Sequence, residues 1–424
     1  VIGLAVLLAV SVAGLALPSD AGGAIPGPPD VTYSPQPIRS GDYQPFRGLG
    51  VWIDVYDPNW SDPAAAVKKM ASHGVRTLYL QTSNYSRTRP FVFKDKVAGF
   101  VDAAHRYHVQ IVAWYLPGLV NIAKDFNRSM AAIDFTTAAG NRFTAFGLDI
   151  EATAVKNVKT RTARLLKLST QLRVAAGNSY PLGAIIPSPL GLVRAKGYWP
   201  GFPWKGLAGL YDAFLPMSYY TWHDKSYSGA HWYITRNVQI IRSKLGTDQY
   251  PVSVIGGIAE DATTAGTKGF VQAIRERGVI GASYYTFPGI TSGMWSELSK
   301  VPTNPLETPG LPAHMGASAM GNISGGDTTH PKEVVFQLTG KSGNWNLSYR
   351  AFDAGSKEIS IFLNWHLIGM VPAGPPSAWS GTTTVALSKK ILFANTPNYV
   401  AFVASGDYPS WSTWGVEDTS VAKA

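Results

Sequence analysis

Eight short apolar runs recur at regular spacing through the middle of the chain, and few architectures accommodate them. They are 49–55 (LGVWIDV), 77–81 (TLYLQ), 110–115 (QIVAWY), 144–151 (TAFGLDIE), 182–187 (LGAIIP), 213–219 (AFLPMSY), 252–257 (VSVIGG) and 281–286 (GASYYT). Runs of this kind, β-branched and aromatic with little polar alternation, describe parallel strands buried on both faces. Helical spacing fills the gaps at 96–107, 158–176 and 263–277. Another helix is announced by Asp62 as N-cap, Pro63 at its first position and Gly74 as its stop. Eight β/α units over 46–301 predict a (β/α)8 TIM barrel. The rival, an open doubly wound sheet, is disfavoured because no glycine-rich phosphate loop follows the first run.

The flanks are of other kinds. Residues 1–24 open with an uncharged apolar stretch followed by small residues, the pattern of a secretory signal peptide. Residues 25–45 and 302–330 are rich in Pro, Gly and Ser and read as linkers. From 331 to 424 the apolar residues alternate between turn-forming segments, which predicts an all-β sandwich. No other run is long enough to span a membrane, so no span is expected in the mature chain.

The chain has no cysteine, which removes disulfides, thiolate metal sites, iron–sulfur clusters and cysteine nucleophiles. An exported chain without cysteine suits a bacterial envelope or extracellular setting, where folding does not rely on disulfides. The net charge of +10 raises the question of anionic partners, such as an acidic wall polymer. The densest basic run is Lys156, Lys159, Arg161, Arg164, Lys167 and Arg173, read as the solvated face of one helix. No nucleic-acid motif is present, and no cofactor or metal is called for. His105 and His108 read as residues at a helix end, without the carboxylates of a metal site.

In such a barrel, chemistry gathers at the carboxyl ends of the strands. Those ends carry Asp54, Gln81, Trp114, Tyr115, Asp149, Glu151, Met217, Tyr219, Tyr220, Trp222, His223, Tyr284 and Tyr285. Carboxylates ringed by aromatic faces suit a polysaccharide or other glycan, because indole and phenol rings cover sugar faces while a few polar groups fix orientation. Asp149 and Glu151 stand two residues apart, so a strand directs both to one face. Two neighbouring carboxyls cannot both ionise cheaply; one retains its proton and supplies an acid. Glycosidic cleavage needs that pairing.

TAFGLDIE resembles the second half of the D-G-x-D-x-D-x-E strand-four motif of family 18 glycoside hydrolases, and Met217-Ser218-Tyr219 resembles that superfamily's strand-six Met-x-Tyr. The resemblance implies Glu151 as proton donor, Asp149 as the group that orients and stabilises charge, and Tyr219 as a hydrogen-bond donor to the reacting centre. It covers the barrel only. Gly147 and Thr144 stand where the motif's first two aspartates fall, Tyr220 where an Asp or Asn often follows, and Tyr284-Tyr285 where a Trp is usual. The strand-four D-x-E and the Asp54 of strand one are also similar to family 25 lysozymes, which implies peptidoglycan as an alternative substrate.

Three tail tryptophans, Trp379, Trp411 and Trp414, lie in loop-like settings and predict a secondary glycan site on the sandwich. The leading expectation is an exported glycoside hydrolase. The alternatives are a glycan-binding protein with an inactive barrel and a structural envelope protein.

Overall fold

The computed structural model describes residues 27–39, 41–195, 197–247, 250–301, 319–322, 333–338, 343–364, 366–392, 398–404 and 414–424. The signal-like segment and Trp411 lie outside the described residues.

Eight strands form one parallel sheet: β1 (Gly48–Ile53), β2 (Thr77–Asn84), β3 (Gln110–Leu116), β4 (Ala145–Asp149), β5 (Leu182–Ile186), β6 (Ala213–Pro216), β7 (Ser253–Ile258) and β8 (Gly281–Tyr285). Their order is β6-β5-β4-β3-β2-β1-β8-β7. Parallel bridges from Phe214 to Val252 and from Met217 to Ile255 join β6 to β7 and close the ring. Helices α1 (Pro63–Ser72), α2 (Lys94–Arg106), α3 (Ile122–Ile133), α4 (Val158–Ala176), α5 (Pro189–Arg194), α6 (Trp204–Ala208), α7 (Tyr227–Leu245), α8 (Thr264–Arg277) and α9 (Ser292–Leu298) follow or separate the strands. Local chemistry sets their starts: the Asp62 side chain accepts from Ala65 N–H, and the Asn157 side chain accepts from Thr160 N–H.

Strand alternation sorts the core into two shells. Val51, Leu78, Tyr115, Leu148 and Tyr284 point outward and pack with the helices. Trp52, Tyr79, Val112, Trp114, Ile185, Leu215 and Ile255 point inward and fill the lumen. Trp52 stacks on Tyr79 at 4.2 Å and meets Trp114 edge-on at 5.6 Å.

Residues 27–39 and 41–46 touch the barrel at several points: Gln171 of α4 donates to Pro29 O at 3.0 Å, and Arg39 N–H donates to Ala208 O at 3.0 Å. Phe46 is buried within the lumen cluster, and the Thr77 hydroxyl donates to Pro45 O at 3.0 Å. Arg39 pairs with Asp212 at 2.9 Å, and Arg173 of α4 pairs with the other carboxylate oxygen at 2.6 Å. Arg161 is also buried, with its guanidinium over the Trp199 ring at 4.1 Å. The outward basic face on α4 is therefore smaller than the sequence suggested. Lys156, Lys159 and Lys167 remain exposed, while Arg161 and Arg173 serve internal pairing.

The C-terminal region holds two four-stranded antiparallel sheets. One has the order β10-β15-β12-β13, from Glu333–Leu338, Asn398–Ala404, Ile359–Leu363 and His366–Met370. The other is β14-β11-β16-β9, from Thr383–Leu387, Trp345–Phe352, Trp414–Lys423 and Ala319–Asn322. Leu347, Tyr349, Ile361, Phe402 and Val416 build the core between them. The edge strand β9 falls within the segment read as a linker. Strand β13 packs on α8, where Arg275 donates to the Ser360 hydroxyl and lies over the Phe362 ring. At Gly278 φ is +56°, and an added Cβ would stand 2.3 Å from the His366 ring, so only glycine serves there.

Candidate functional site

The inward face of β4 carries Ala145, Gly147 and Asp149, and Glu151 follows in register. At the same mouth β1 continues to Asp54, β6 to Met217 and Tyr219, and β8 ends at Tyr285. The Tyr285 hydroxyl donates to Asp54 Oδ2, while Asp54 Oδ1 accepts from Tyr56 N–H at 2.7 Å. Gln81 Oε1 accepts from Val55 N–H at 3.0 Å, so this side chain holds the turn after β1.

Asp149 is 5% exposed, and its Oδ1 has no hydrogen-bond partner among the described residues. Burial raises its carboxyl well above the ordinary range, and the charge of Glu151 adds to that push. Glu151 reaches solvent, yet protein crowds it from most other directions, and this desolvation raises its carboxyl as well. Both carboxyls are pushed upward, and Asp149 is the deeper of the two. Tyr219 is held protonated by burial and by the charges of Glu151, Asp149 and Asp54. Burial likewise raises Tyr285, followed by the charge of Asp54. Trp114 Nε1 and the Ser218 hydroxyl are buried without partners among the described residues. The site thus unites carboxyls from β1 and β4 with phenols from β6 and β8, and leaves polar atoms unsatisfied.

Period-two geometry corrects part of the aromatic ring. Adjacent residues of one strand face opposite ways, so Trp114 enters the lumen and Tyr115 leaves it. The Tyr115 hydroxyl donates to Asp125 of α3 at 2.8 Å. In the same way Tyr285 faces the mouth, while Tyr284 packs on Phe270 of α8 and meets the Tyr220 hydroxyl at 2.5 Å. Tyr220 therefore belongs to the outer shell as well. His223 turns away and stacks on Tyr233 of α7 at 4.5 Å. Trp222 stays at the rim, 62% exposed, edge-on to Tyr219 at 4.9 Å.

The tail tryptophans do not form one exposed surface. Trp414 is 1% exposed and belongs to the sandwich core, because it begins β16 on the inward face. Trp379 packs edge-on against Phe352 at 5.3 Å.

Tyr198 was not anticipated. It comes from the connection between α5 and α6, and its hydroxyl donates to Glu151 O at 2.9 Å. Burial and the charges of Glu151 and Asp149 raise its phenol. Its neighbours in sequence read as an ordinary loop. Asp57, just past β1, is buried, and its side chain accepts from Asn59 N–H at 2.7 Å.

Gly147 explains a departure from the family 18 pattern. A Cβ there would lie 3.0 Å from Ile185 Cδ1 and 3.6 Å from Trp114 Cβ. The surroundings of that position are apolar, the tip of Ile185 and the Trp114 Cβ, and β4 presents no inward carboxyl before Asp149.

No family model matches the chain, and no curated protein does. Its barrel is similar to solved structures of glycoside hydrolases. A chitinase from Chromobacterium violaceum is 11% identical over 59% of this chain and 98% of its own, with a TM-score of 0.42. A family 18 chitinase from Cycas revoluta is 10% identical, with the same coverage and a TM-score of 0.44. A cycloisomaltooligosaccharide glucanotransferase from Paenibacillus aligns over 89% of this chain at 11% identity and a TM-score of 0.34; the chain spans 58% of that protein's length. These likenesses are of fold.

Proposed function

We propose that the chain is an exported glycoside hydrolase that cleaves an envelope or environmental polysaccharide by carboxylate acid/base chemistry. The observation that carries this reading is the Asp149–Glu151 pair at the mouth of a closed barrel, one carboxyl buried with an oxygen unpartnered among the described residues and the other open to solvent. Glu151 is the member that a substrate can reach, so it delivers the proton to the departing glycosidic oxygen. Asp149 is buried behind it and, when ionised, faces the positive charge that develops on the sugar; a water from the open mouth adds to the anomeric carbon and returns a proton to Glu151. Tyr219 stays protonated and donates a hydrogen bond at the reacting centre. Trp222 supplies an exposed ring at the rim and Tyr285 a ring at the mouth.

Hydrolysis by purified protein across a polysaccharide panel, compared with Glu151→Gln, tests the reading. Gly147 favours one second reading: with glycine where the family 18 motif carries an inward aspartate, the barrel binds a glycan without cleaving it. Wild-type protein that binds a member of the panel and hydrolyses none would establish that alternative.

A further inference from the structure

Just outside the barrel mouth, between α5 and the start of α7, lies an open groove of about 440 Å³. Its edge carries Trp232, 51% exposed, with the Arg194 guanidinium 5.7 Å from the ring centroid. His223 and Asp224 also line it, and Ser228 adds a hydroxyl. The groove and the carboxylate pair are served by the same chain segment, 219–224, which follows β6. Tyr219, which feels the charges of Glu151 and Asp149, contacts the exposed Trp222 at 4.9 Å. His223 follows Trp222 in the chain and stacks on Tyr233 at 4.5 Å, and Tyr233 neighbours Trp232 at 6.5 Å.

The chemistry selects a ligand class. A sugar hydroxyl both donates and accepts hydrogen bonds. Arg194 offers only donors and Asp224, ionised, only acceptors, so the two together match hydroxyls. An exposed indole adds a face for a pyranose ring. An anionic ligand would meet Arg194 but would also be repelled by Asp224. We infer that the groove is a second binding site for an uncharged oligosaccharide, into which a glycan chain runs from the barrel mouth past Trp222. This deepens the carbohydrate reading of the mouth, but the groove binds whether or not the mouth cleaves.

Affinity electrophoresis of the full chain tests it, in native gels containing hydroxyethyl cellulose, galactomannan or glycol chitin, with polyglutamate as the anionic comparison. At least one neutral polymer should retard the wild type. Trp232→Ala and Arg194→Ala, both at accessible positions, should each weaken the apparent affinity roughly 3–10-fold, the range for losing one ring or charged contact. Circular dichroism establishes that the variants are folded. The inference is overturned if no neutral polymer retards the wild type, if both variants migrate as wild type does, or if polyglutamate alone retards it. A Glu151→Gln variant with undiminished hydrolysis would sink the catalytic reading while leaving the retardation result to stand by itself.

Discussion

The Tyr285 hydroxyl, from the last barrel strand, donates to the carboxylate of Asp54, which follows the first. The contact closes the mouth across the β1–β8 seam and sets a carboxylate beside the β4 pair. In a double-mutant cycle, Tyr285→Phe and Asp54→Asn should couple by about 1–3 kcal/mol in urea unfolding, as for a hydrogen bond to a charged acceptor. Additive effects would mean that the two groups do not bond in solution.

For Glu151→Gln, turnover on the best substrate should fall by at least ~10²-fold, the low end for a general acid, with the melting temperature retained. A variant that turns over like wild type removes Glu151 from the mechanism.

The raised Asp149 carboxyl makes stability depend on pH with a definite sign. Its folded value lies above its ordinary 3.8, so the folded chain holds a proton that the unfolded chain releases. That contribution is fully present below the ordinary value and is lost as pH rises through the raised one. Asp149→Asn should therefore melt higher than wild type at neutral pH, with a gap that grows upward from about pH 4. A gap that shrinks as pH rises would contradict the burial described for this group.

His366 gives the opposite dependence. Burial, then the charges of Arg242 and Arg277, hold it down to about 3 from an ordinary 6.5. As pH falls through that window the unfolded chain takes up a proton that the folded chain refuses, and stability is lost. His366→Gln should flatten the acid slope by at most about 1.4 kcal/mol per pH unit. Denaturant titrations at several acidic pH values read this slope directly.

Asp212 is 1% exposed and accepts from Arg39, Arg173 and Leu182 N–H. Asp212→Ala leaves the buried Arg173 charge without its anion and should cost about 3–5 kcal/mol in equilibrium unfolding. A loss below about 1 kcal/mol, the level of a surface pair, would show that the network is solvated.

Much of the barrel was legible because each strand is short, apolar and bounded, and the bounds 158–176 read for α4 coincide with the helix observed. The Asp149–Glu151 geometry follows from the two-residue repeat alone. The same repeat, applied to Trp114-Tyr115 and Tyr284-Tyr285, would have sent one member of each pair outward; reading both as cleft residues ignored it. Trp414 looked loop-like because turn-forming residues precede it, whereas its burial depends on pairing with β9 and β11, distant in sequence. Tyr198 gave no signal, since only the folded connection brings its hydroxyl to Glu151.

Helix α8 has a consequence for anyone dividing this chain. Its Phe270 packs on Tyr284 in the wall of the barrel, while Arg275, near its end, grips Ser360 and Phe362 across the boundary. The helix works as a shared beam between two rooms. A cut at residue 330 would strip the second sheet of β9 and uncover Phe362, so a fragment beginning at 331 carries two raw surfaces. Failed binding by that fragment would report the damage, and a fair trial of the tail keeps residues 319–322 and offers its β12–β13 face a substitute for α8.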